Sequence, residues 1–322
     1  MRALLRVSKS RVKLAFALLA LNHAVSANTV GKMLMKLGYS RQVNRKTKEG
    51  DHHPDRDGQF QHINRQVLAL PAAGQPVISV DTKKKELIGE YKNGGSDYRA
   101  AGCPDRVNTH DFVGKTLGKV APYGIYDVAT NTRWMSLGID HPTAEFAVNA
   151  VRRWHQVVGS VRYPKADHVL ITADGGGSYG SRVRLRKLEL QKLADETGLT
   201  FEVCHYPPGT SKWNKIEHRM FCHITQTWRG KPLVSRVAVV DLIAATTAKA
   251  GLTVQCDLDE KTFAKGIKVT DAEMDTLNIE NGPGIQSGTM PSGLGHQVVA
   301  VILARLLNPG HAQPVKITVT GY

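Results

Sequence analysis

Apolar residues recur at helical spacing near the middle of the chain, and one acidic residue interrupts them. The apolar positions are Trp213, Ile216, Met220, Phe221, Ile224 and Trp228. They predict an amphipathic helix over 212–228. Glu217 lies four residues after Trp213 and four before Phe221, so at about 100° per residue it projects into the apolar face. Because an unpaired buried carboxylate is costly, we expect Glu217 to be protonated, paired or bound to a cation.

The remaining pattern of apolar and polar positions predicts an α/β fold. Strands are expected at 77–82, 86–92, 123–129, 133–139, 168–173 and 200–205, and helices at 143–158, 181–197 and 212–228. The first strands form an antiparallel meander, whereas the later ones alternate with helices, which implies parallel pairing. We therefore predict a mixed five-stranded sheet with helices on both faces.

The N-terminal pattern predicts a small helical segment ahead of this sheet. One helix is expected over 11–22, and a second is capped by Ser26 and ends at Leu37-Gly38. Two short helices joined by a tight turn fit a helix-turn-helix. We divide the chain into a helix-turn-helix segment (1–50), a connector helix and linker (51–75), an α/β domain (76–278) and a loosely ordered, Gly- and Pro-rich tail (279–322).

The charge of the chain favours a polyanionic partner. The net charge is +15, and residues 1–48 contain eleven Lys or Arg and no Asp or Glu. Nucleic acid is the first expectation and an anionic membrane surface the second. The DNA contacts expected from this region are Asn28, Thr29, Lys32, Lys36, Arg41, Arg45 and Lys46. The same charges could instead only solvate a small helical bundle.

The first 27 residues imitate a secretory signal, with a basic start, the run LAFALLAL and then HAVSA. The segment continues directly into another amphipathic helix, and the rest of the chain is basic and poor in cysteine. We therefore interpret the signal as a false positive and predict a cytoplasmic, nucleoid-associated protein. No apolar run reaches the ~20 residues of a membrane span, so no membrane partner is expected.

The four cysteines, Cys103, Cys204, Cys222 and Cys256, contain no CxxC pair. Two of them are followed by histidine, but the spacing of these Cys-His dipeptides does not match a zinc finger. We interpret the cysteines as small core thiols in a reducing compartment.

Two further acids end predicted strands, Asp81 in PVISVD and Asp174 in HVLITAD. Ligands collect beyond the carboxyl ends of strands in a mostly parallel sheet, and GGGSYG after Asp174 permits close approach of a phosphate backbone. Each Asp alone also fits an ordinary turn. Together with Glu217 they predict a divalent-metal site that cuts and joins phosphodiesters.

Carboxylate ligands suit Mg²⁺ or Mn²⁺. Two ions about 4 Å apart would activate the attacking oxygen and stabilise the leaving one. Asp81 is expected to bridge both ions, and Asp174 and Glu217 to hold one each. Further phosphate contacts are expected from Lys83, Lys84, Lys85, Lys212, Lys215 and Arg219, and the site is expected to be lined by His205, Asn214 and His218. The three consecutive lysines fit a solvated strand edge equally well, and His205 fits a packed, hydrogen-bonded position.

Four motifs carry a family resemblance: DRDGQFQHIN, SVDTKKKELIGEYKNGG, ITADGGGSYGSR and CHYPPGTSKWNKIEHRMF. From about Ser8 to Asn278 the chain resembles the ISAzo family of insertion-sequence transposases, which are DDE enzymes with a ribonuclease-H-like core. The resemblance implies that Asp81, Asp174 and Glu217 are the catalytic triad. It also implies metal-dependent hydrolysis at the terminal inverted repeats of a transposon, attack of the freed 3′-hydroxyl on target DNA, and action as a homo-oligomer.

The chain departs from that family at both ends. Family members have more sequence before the helix-turn-helix, so we expect a truncated form of it here, and the segment after Asn278 does not resemble the family's ending. Two alternatives therefore stand beside the transposase. One is a structure-selective nuclease of the same fold, and the other is a DNA-binding relic without catalysis.

Overall fold

The computed structural model describes residues 9–42, 55–114, 116–176, 180, 182–248, 251–281 and 317–320. The chain forms two compact units, Met1–Lys48 and Glu49–Tyr322.

The first unit contains two short helices, α1 (Arg11–Leu19) and α2 (Ala27–Lys36). Ser26 caps α2 as predicted, because its hydroxyl accepts a hydrogen bond from the N–H of Thr29 at 3.1 Å. Gly38 follows the helix with a φ of +79°, a conformation that glycine adopts without strain. The two predicted helices are both present, and α1 ends three residues earlier than expected.

The second unit combines seven helices and nine strands in its described part. The helices are α3 (Arg56–Ala72), α4 (Ala144–Trp154), α5 (Ser160–Arg162), α6 (Arg184–Thr197), α7 (Cys222–Thr227), α8 (Arg236–Ala244) and α9 (Asp271–Asp275). The strands are β1 (Val77–Thr82), β2 (Glu86–Leu87), β3 (Lys119–Asp127), β4 (Thr132–Gly138), β5 (His168–Asp174), β6 (Thr200–Tyr206), β7 (Gln255–Asp259), β8 (Ile279–Asn281) and β9 (Ile317–Thr320).

The strands form a mixed sheet in the order β7-β4-β3-β1-β5-β6-β9-β8, with β2 paired to β3. Strand β3 is antiparallel to β1, β2 and β4, and every other described pairing is parallel. The central five strands, β4-β3-β1-β5-β6, are the mixed ribonuclease-H-like sheet that the sequence predicts, so the predicted fold class is confirmed.

The sheet differs from the prediction at its edges. The strand expected over 86–92 is only Glu86–Leu87, because Gly89 has a φ of +139° and the chain turns away there. Strand β7, which was not predicted, pairs with β4. The tail was expected to be loosely ordered, yet Ile317–Thr320 pairs with β6, and Ile317 is fully buried. Residues 282–316 of the tail lie outside the described part.

The two faces of the sheet are covered by different helices, because successive side chains of a strand point to opposite faces. Ile78 and Val80 of β1 pack in the cluster that contains α4 and α6 residues. Val77 packs in the cluster of α3, and Ser79 bonds to Asn214, which precedes α7. By the same alternation, Asp81 lies on the face of α3 and α7.

Among the described helices, none is both long and apolar enough to cross a membrane.

Candidate active site

Asp81 and Asp174 end two adjacent parallel strands, β1 and β5. Parallel neighbours end at the same edge of a sheet, which brings their last residues together. Asp174 alternates with Ile171 and Ala173, which pack under α4 and α6, so its side chain lies on the opposite face, as does that of Asp81. Both carboxylates therefore lie at the same edge and on the same face.

Glu217 reaches this edge from a helical segment with irregular winding. Ser211–Trp213 is a 3₁₀ turn, Glu217–Phe221 is a π-helical turn, and α7 follows. A π-turn of this kind is frequent at functional sites, since it redirects the side chains of one helical turn. The continuous helix predicted over 212–228 is thus wrong in its first turn and in the winding around Glu217.

The apolar face of this segment is shorter than predicted. Ile216, Met220, Phe221, Ile224 and Trp228 are buried in one cluster. Trp213 is 55% exposed and packs its ring edge-on against Phe60, with ring centroids 6.1 Å apart, so it does not belong to the face. Glu217 is consequently half-buried at the end of the apolar face, and its carboxyl group lies within hydrogen-bonding reach of Asp81.

A glycine lets this segment lie directly on the sheet. Gly124 of β3 is the register partner of Asp81. A Cβ added at Gly124 would lie 2.6 Å from a ring carbon of Phe221 and 2.8 Å from Cδ1 of Ile216. Any larger residue would push the Glu217 segment away from Asp81.

A buried serine and asparagine fix the segment to β1. The Ser79 hydroxyl donates to Oδ1 of Asn214 and accepts a hydrogen bond from the N–H of Ile216 at 3.2 Å. The Asn214 amide donates to the carbonyl of Val80 at 3.2 Å. Ser79 and Asn214 are both fully buried. Since Ser79 precedes Asp81 by two residues and Asn214 precedes Glu217 by three, these bonds set the spacing of two of the acids.

We expect Ser79→Ala to impair catalysis more than folding. The substitution leaves the Asn214 carbonyl and the Ile216 N–H without their partner, which costs about 1–3 kcal/mol of unfolding free energy. Misplacement of Glu217 should lower the cleavage rate roughly 10- to 100-fold beyond the loss of folded protein. Thermal melts and a nicking assay measure the two effects. Ser136→Ala, which removes a buried hydroxyl from β4, is the matched control. Equal rates per folded molecule in both variants would contradict a positioning role.

The three carboxylates perturb one another. Burial, the charge of Asp174 and the proximity of Glu217 raise the pKa of Asp81 to about 7, although the Thr82 N–H donates to its Oδ1 at 2.7 Å and opposes the shift. Burial also raises the pKa of Asp174; the amide of Asn214 opposes this shift and the charge of Glu217 adds to it. The three acids are therefore close enough to perturb one another's pKa values.

The donor set of this site fits a divalent cation. Oδ1 of Asp174 is buried without a hydrogen-bond partner among the described residues. None of the described Lys or Arg residues forms an ion pair with the three acids. Three converging oxygen ligands without a balancing positive charge are what Mg²⁺ and Mn²⁺ bind in proteins.

A cleft of about 490 Å³ opens beside two of the acids. It is lined by Val80, Asp81, Thr82, Asp174, Gly175, Gly176, Pro207, Pro208, Gly209 and Ser211. Its far wall is the turn Pro207–Gly209 after β6. The glycines that follow Asp174 leave its floor without side chains, which suits an extended phosphate backbone.

The lysines after Asp81 have different environments. Lys83 is buried, and its ammonium lies 3.1 Å from Glu86 and 4.4 Å from the ring centroid of Trp228. Its ammonium group is therefore already paired within the fold, which does not favour the expected phosphate contact. Lys84 and Lys85 are exposed and stay candidates for phosphate contact.

The basic residues around Glu217 lie at the surface. Lys212 and Arg219 are exposed, and Lys215 is half-buried. Burial, helped by the charge of Arg219, lowers the pKa of Lys215. His218 is exposed, with its ring bonded to the carbonyl of Lys212. These positions suit contact with a strand that enters the cleft, a role that stays a prediction.

His205 does not line the cleft. Its ring is buried on the face of α6, where Nε2 lies 2.8 Å from Nη1 of Arg186. The backbone carbonyl of His205 accepts from the side chain of Gln59. The packed alternative is thus the correct one, because alternation along β6 turns this side chain away from the acids.

The first unit presents its expected contacts at the surface. Asn28, Thr29, Lys32, Lys36 and Arg41 are all exposed. Arg45 and Lys46 lie outside the described residues.

Sequence reasoning missed Ser79 and Gly124. The signal for Ser79 was available, because it alternates with Asp81 along one strand and is a polar residue in an otherwise apolar run. Gly124 had no such signal, since its role depends on a helix more than 90 residues away.

Several solved transposase structures align with this chain at low sequence identity. A Mos1 transposase paired-end complex with the left transposon end matches with a TM-score of 0.44 and 13% identity, over 72% of this chain and 64% of that chain. A Mos1 mariner paired-end complex with Mn matches with a TM-score of 0.43 and 14% identity, and the match covers 72% of this chain and 64% of the Mos1 chain. A Drosophila P element transposase strand transfer complex has a TM-score of 0.16 and 13% identity, over 80% and 42%. The match thus spans less than two thirds of the Mos1 chains.

Among curated proteins, none is similar enough in sequence to count as a relative. The family profile of the Rhodopirellula transposase DDE domain, in contrast, matches residues 1–286. This match covers most of the 322 residues and contains all three acids of the site. The chain therefore belongs to the Rhodopirellula transposase DDE domain family, as its ISAzo-type motifs predict.

Proposed function

We propose that this protein is a DNA transposase that cleaves transposon ends and transfers the freed strand to target DNA. The observation that carries the proposal is the convergence of Asp81, Asp174 and Glu217 beside an open cleft. Family membership supports the same reaction. The substrate DNA comprises the terminal inverted repeats of the element and a target duplex.

The three acids act as ligands in this proposal. Each of the three acids interacts with the other two. Asp81 would be the ligand that two cations share, and Asp174 and Glu217 would hold one cation each. Bound Mg²⁺ or Mn²⁺ supplies charge neutralisation at the scissile phosphate and activates the attacking oxygen. The Ser79–Asn214 hydrogen bonds hold the ligand spacing before DNA arrives, which avoids reorganisation during the reaction.

The cleft and the surrounding charge position the DNA. Gly175 and Gly176 allow the phosphate backbone to approach Asp174 closely. Lys84 and Lys85 follow Asp81 in the chain, and Lys212 and Arg219 flank Glu217, so exposed cationic side chains are available near two of the acids for phosphate contact. Phosphate contacts of this kind set register and orientation without reading base sequence.

End cleavage with Mg²⁺ tests the proposal. The full chain is incubated with duplexes that carry the inverted repeats flanking its gene, and with scrambled duplexes of equal length. Nicking confined to the repeat boundary, followed by joining to a second duplex, is the expected result. Nicking of branched DNA regardless of sequence would favour the nuclease instead. Tight binding of the repeats without nicking would favour the inactive relic.

We expect the basic first unit to provide much of the DNA affinity. Deleting residues 1–48 removes eleven Lys or Arg, so fewer counterions are released on binding. The affinity for a transposon end should fall by at least ~10-fold, and the slope of log affinity against log salt should flatten by several units. Fluorescence anisotropy at several salt concentrations measures both. A 49–322 chain with unchanged affinity and slope would show that the α/β domain alone binds the end.

A further inference from the structure

A second cluster of metal-binding side chains lies under α3, away from the three acids. His62 of α3 meets Glu202 and Cys204 of β6, and one ligand atom from each lies within 4.8 Å of the other two. All three residues are buried. Of the described residues, these are the ones that bring three such atoms so close together.

The topology explains why these side chains meet. Glu202 and Cys204 are two residues apart on β6, so both point to the α3 face of the sheet. Cys204 packs there with Ile63 and Val67 of α3. His168 begins β5 on the same face, and its Nε2 lies 3.2 Å from Oε2 of Glu202. The cluster therefore joins α3 to the two strands beneath it.

The distances are close to those between the ligands of a metal ion. Nε2 of His62 lies 3.9 Å from Oε1 of Glu202, which is too long for a direct N–H···O bond of about 2.7–3.2 Å. The Cys204 thiol donates a hydrogen bond to the same oxygen over 3.6 Å. Ligands at about 2.0–2.3 Å from a tetrahedral zinc ion are separated from one another by about 3.3–3.8 Å, so a bound ion would replace the thiol proton with little movement of these side chains.

One buried nitrogen atom of the cluster lacks a hydrogen bond. Within the described residues, Nε2 of His62 makes none, whereas Nε2 of His168 faces Oε2 of Glu202 at 3.2 Å. Buried polar atoms are seldom left without a partner, which makes Nε2 of His62 a candidate metal ligand.

We propose that His62, Glu202 and Cys204 form a structural Zn²⁺ site that fastens α3 to β6. Thiolate and imidazole are soft and borderline ligands, which select zinc over the Mg²⁺ or Mn²⁺ of the acidic site. His168 holds the second oxygen of Glu202 and orients the carboxylate. This assignment revises the sequence-based interpretation of Cys204 as a simple core thiol. It does not depend on the proposed transposase activity.

Metal content and a cobalt spectrum test the site in the full chain, without an affinity tag. The purified protein is expected to hold about one equivalent of zinc. Replacement by Co²⁺ should give a thiolate-to-cobalt charge-transfer band in the near ultraviolet. Removal of the metal by a chelator should lower the Tm by about 5–10 °C.

Four variants locate the ion. Cys204→Ala and His62→Gln should each lose the bound zinc and the response of the Tm to chelator, whereas Cys256→Ala, which removes another buried thiol, should keep both. Asp81→Asn should also keep the zinc, because it alters only the acidic site. If Cys204→Ala fails to fold, the cobalt band of the parent chain decides. Sub-stoichiometric zinc with no such band, or equal zinc loss in Asp81→Asn, would overturn the proposal.

Discussion

Glu217→Gln is expected to reduce end cleavage by at least about 10³-fold while the protein stays folded and binds DNA. The amide cannot supply the anionic oxygen that holds a cation, and a loss of this size corresponds to about 4 kcal/mol of transition-state stabilisation. Glutamine has nearly the same shape, so packing beside Ile216 and Phe221 should persist. A Mg²⁺-dependent nicking assay, with thermal melts and anisotropy on the same samples, measures all three properties.

The opposite outcome would identify Glu217 as a structural acid. In that case removal of its charge would leave a buried partner uncompensated, and stability would fall by several kcal/mol. Among the described residues Glu217 has no such ion pair, which favours the catalytic role. Glu196→Gln is the matched control, since this surface glutamate of α6 pairs with Arg152 far from the cleft. A Glu217→Gln chain that melts much lower but nicks in proportion to its folded fraction would contradict the assignment.

Asp81→Asn is expected to abolish cleavage and to stabilise the metal-free protein above pH 7. The pKa of Asp81 is about 7 in the folded chain and about 3.9 when unfolded. Between these values the folded state holds a proton that the unfolded state has released, so stability falls as the pH rises from about 4 to 7. At about 1.4 kcal/mol per pKa unit, the effect is about 4 kcal/mol at most. The asparagine variant should lose this dependence.

Divalent cations should offset the loss of stability that ionisation of Asp81 causes at high pH. Mg²⁺ or Mn²⁺ at pH 8 should raise the Tm of the parent chain and leave that of Asp81→Asn nearly unchanged, because cation binding to the folded state alone stabilises it. Thermal melts from pH 4 to 8, with and without Mg²⁺, measure both trends. Asp195→Asn, at an exposed position of α6, is the control. If the stability of the parent chain instead rises steadily from pH 4 to 7, the pKa of Asp81 is not raised in the folded state.

The sequence predicted the acids because their evidence is local. Asp81 and Asp174 follow apolar runs that can only be buried strands, and Glu217 falls where helical periodicity demands an apolar residue. Each of these predictions uses only about ten consecutive residues. Over that length, the two-residue period of a strand or the 3.6-residue period of a helix fixes the direction of each side chain. The helix caps at Ser26 and Gly38 were predicted for the same reason.

The sequence misjudged features that depend on partners distant in the chain. Lys83 looked like a surface cation until Glu86 and Trp228 enclosed it, and His205 looked like a site residue until alternation along β6 turned it toward Arg186. Strand β9, with the sequence Ile-Thr-Val-Thr, favours a strand locally, but it follows a stretch rich in Gly, Pro and Ser that predicted an irregular tail. It is ordered because β6 offers an open edge whose backbone groups need partners.

By itself the sequence determined a mixed five-stranded sheet with helices on both faces, the choice of the three acids and the basic first unit, and its motifs identified the family and the ribonuclease-H-like fold that the family implies. Local periodicity, the distribution of charge and motif resemblance are sufficient for these. Only the tertiary structure decided how Ser79 and Asn214 set the distance from Asp81 to Glu217, why Gly124 must lack a side chain, and that His62 meets Glu202 and Cys204. Those three results depend on contacts between residues about 90 to 140 positions apart, and packing alone brings such residues together.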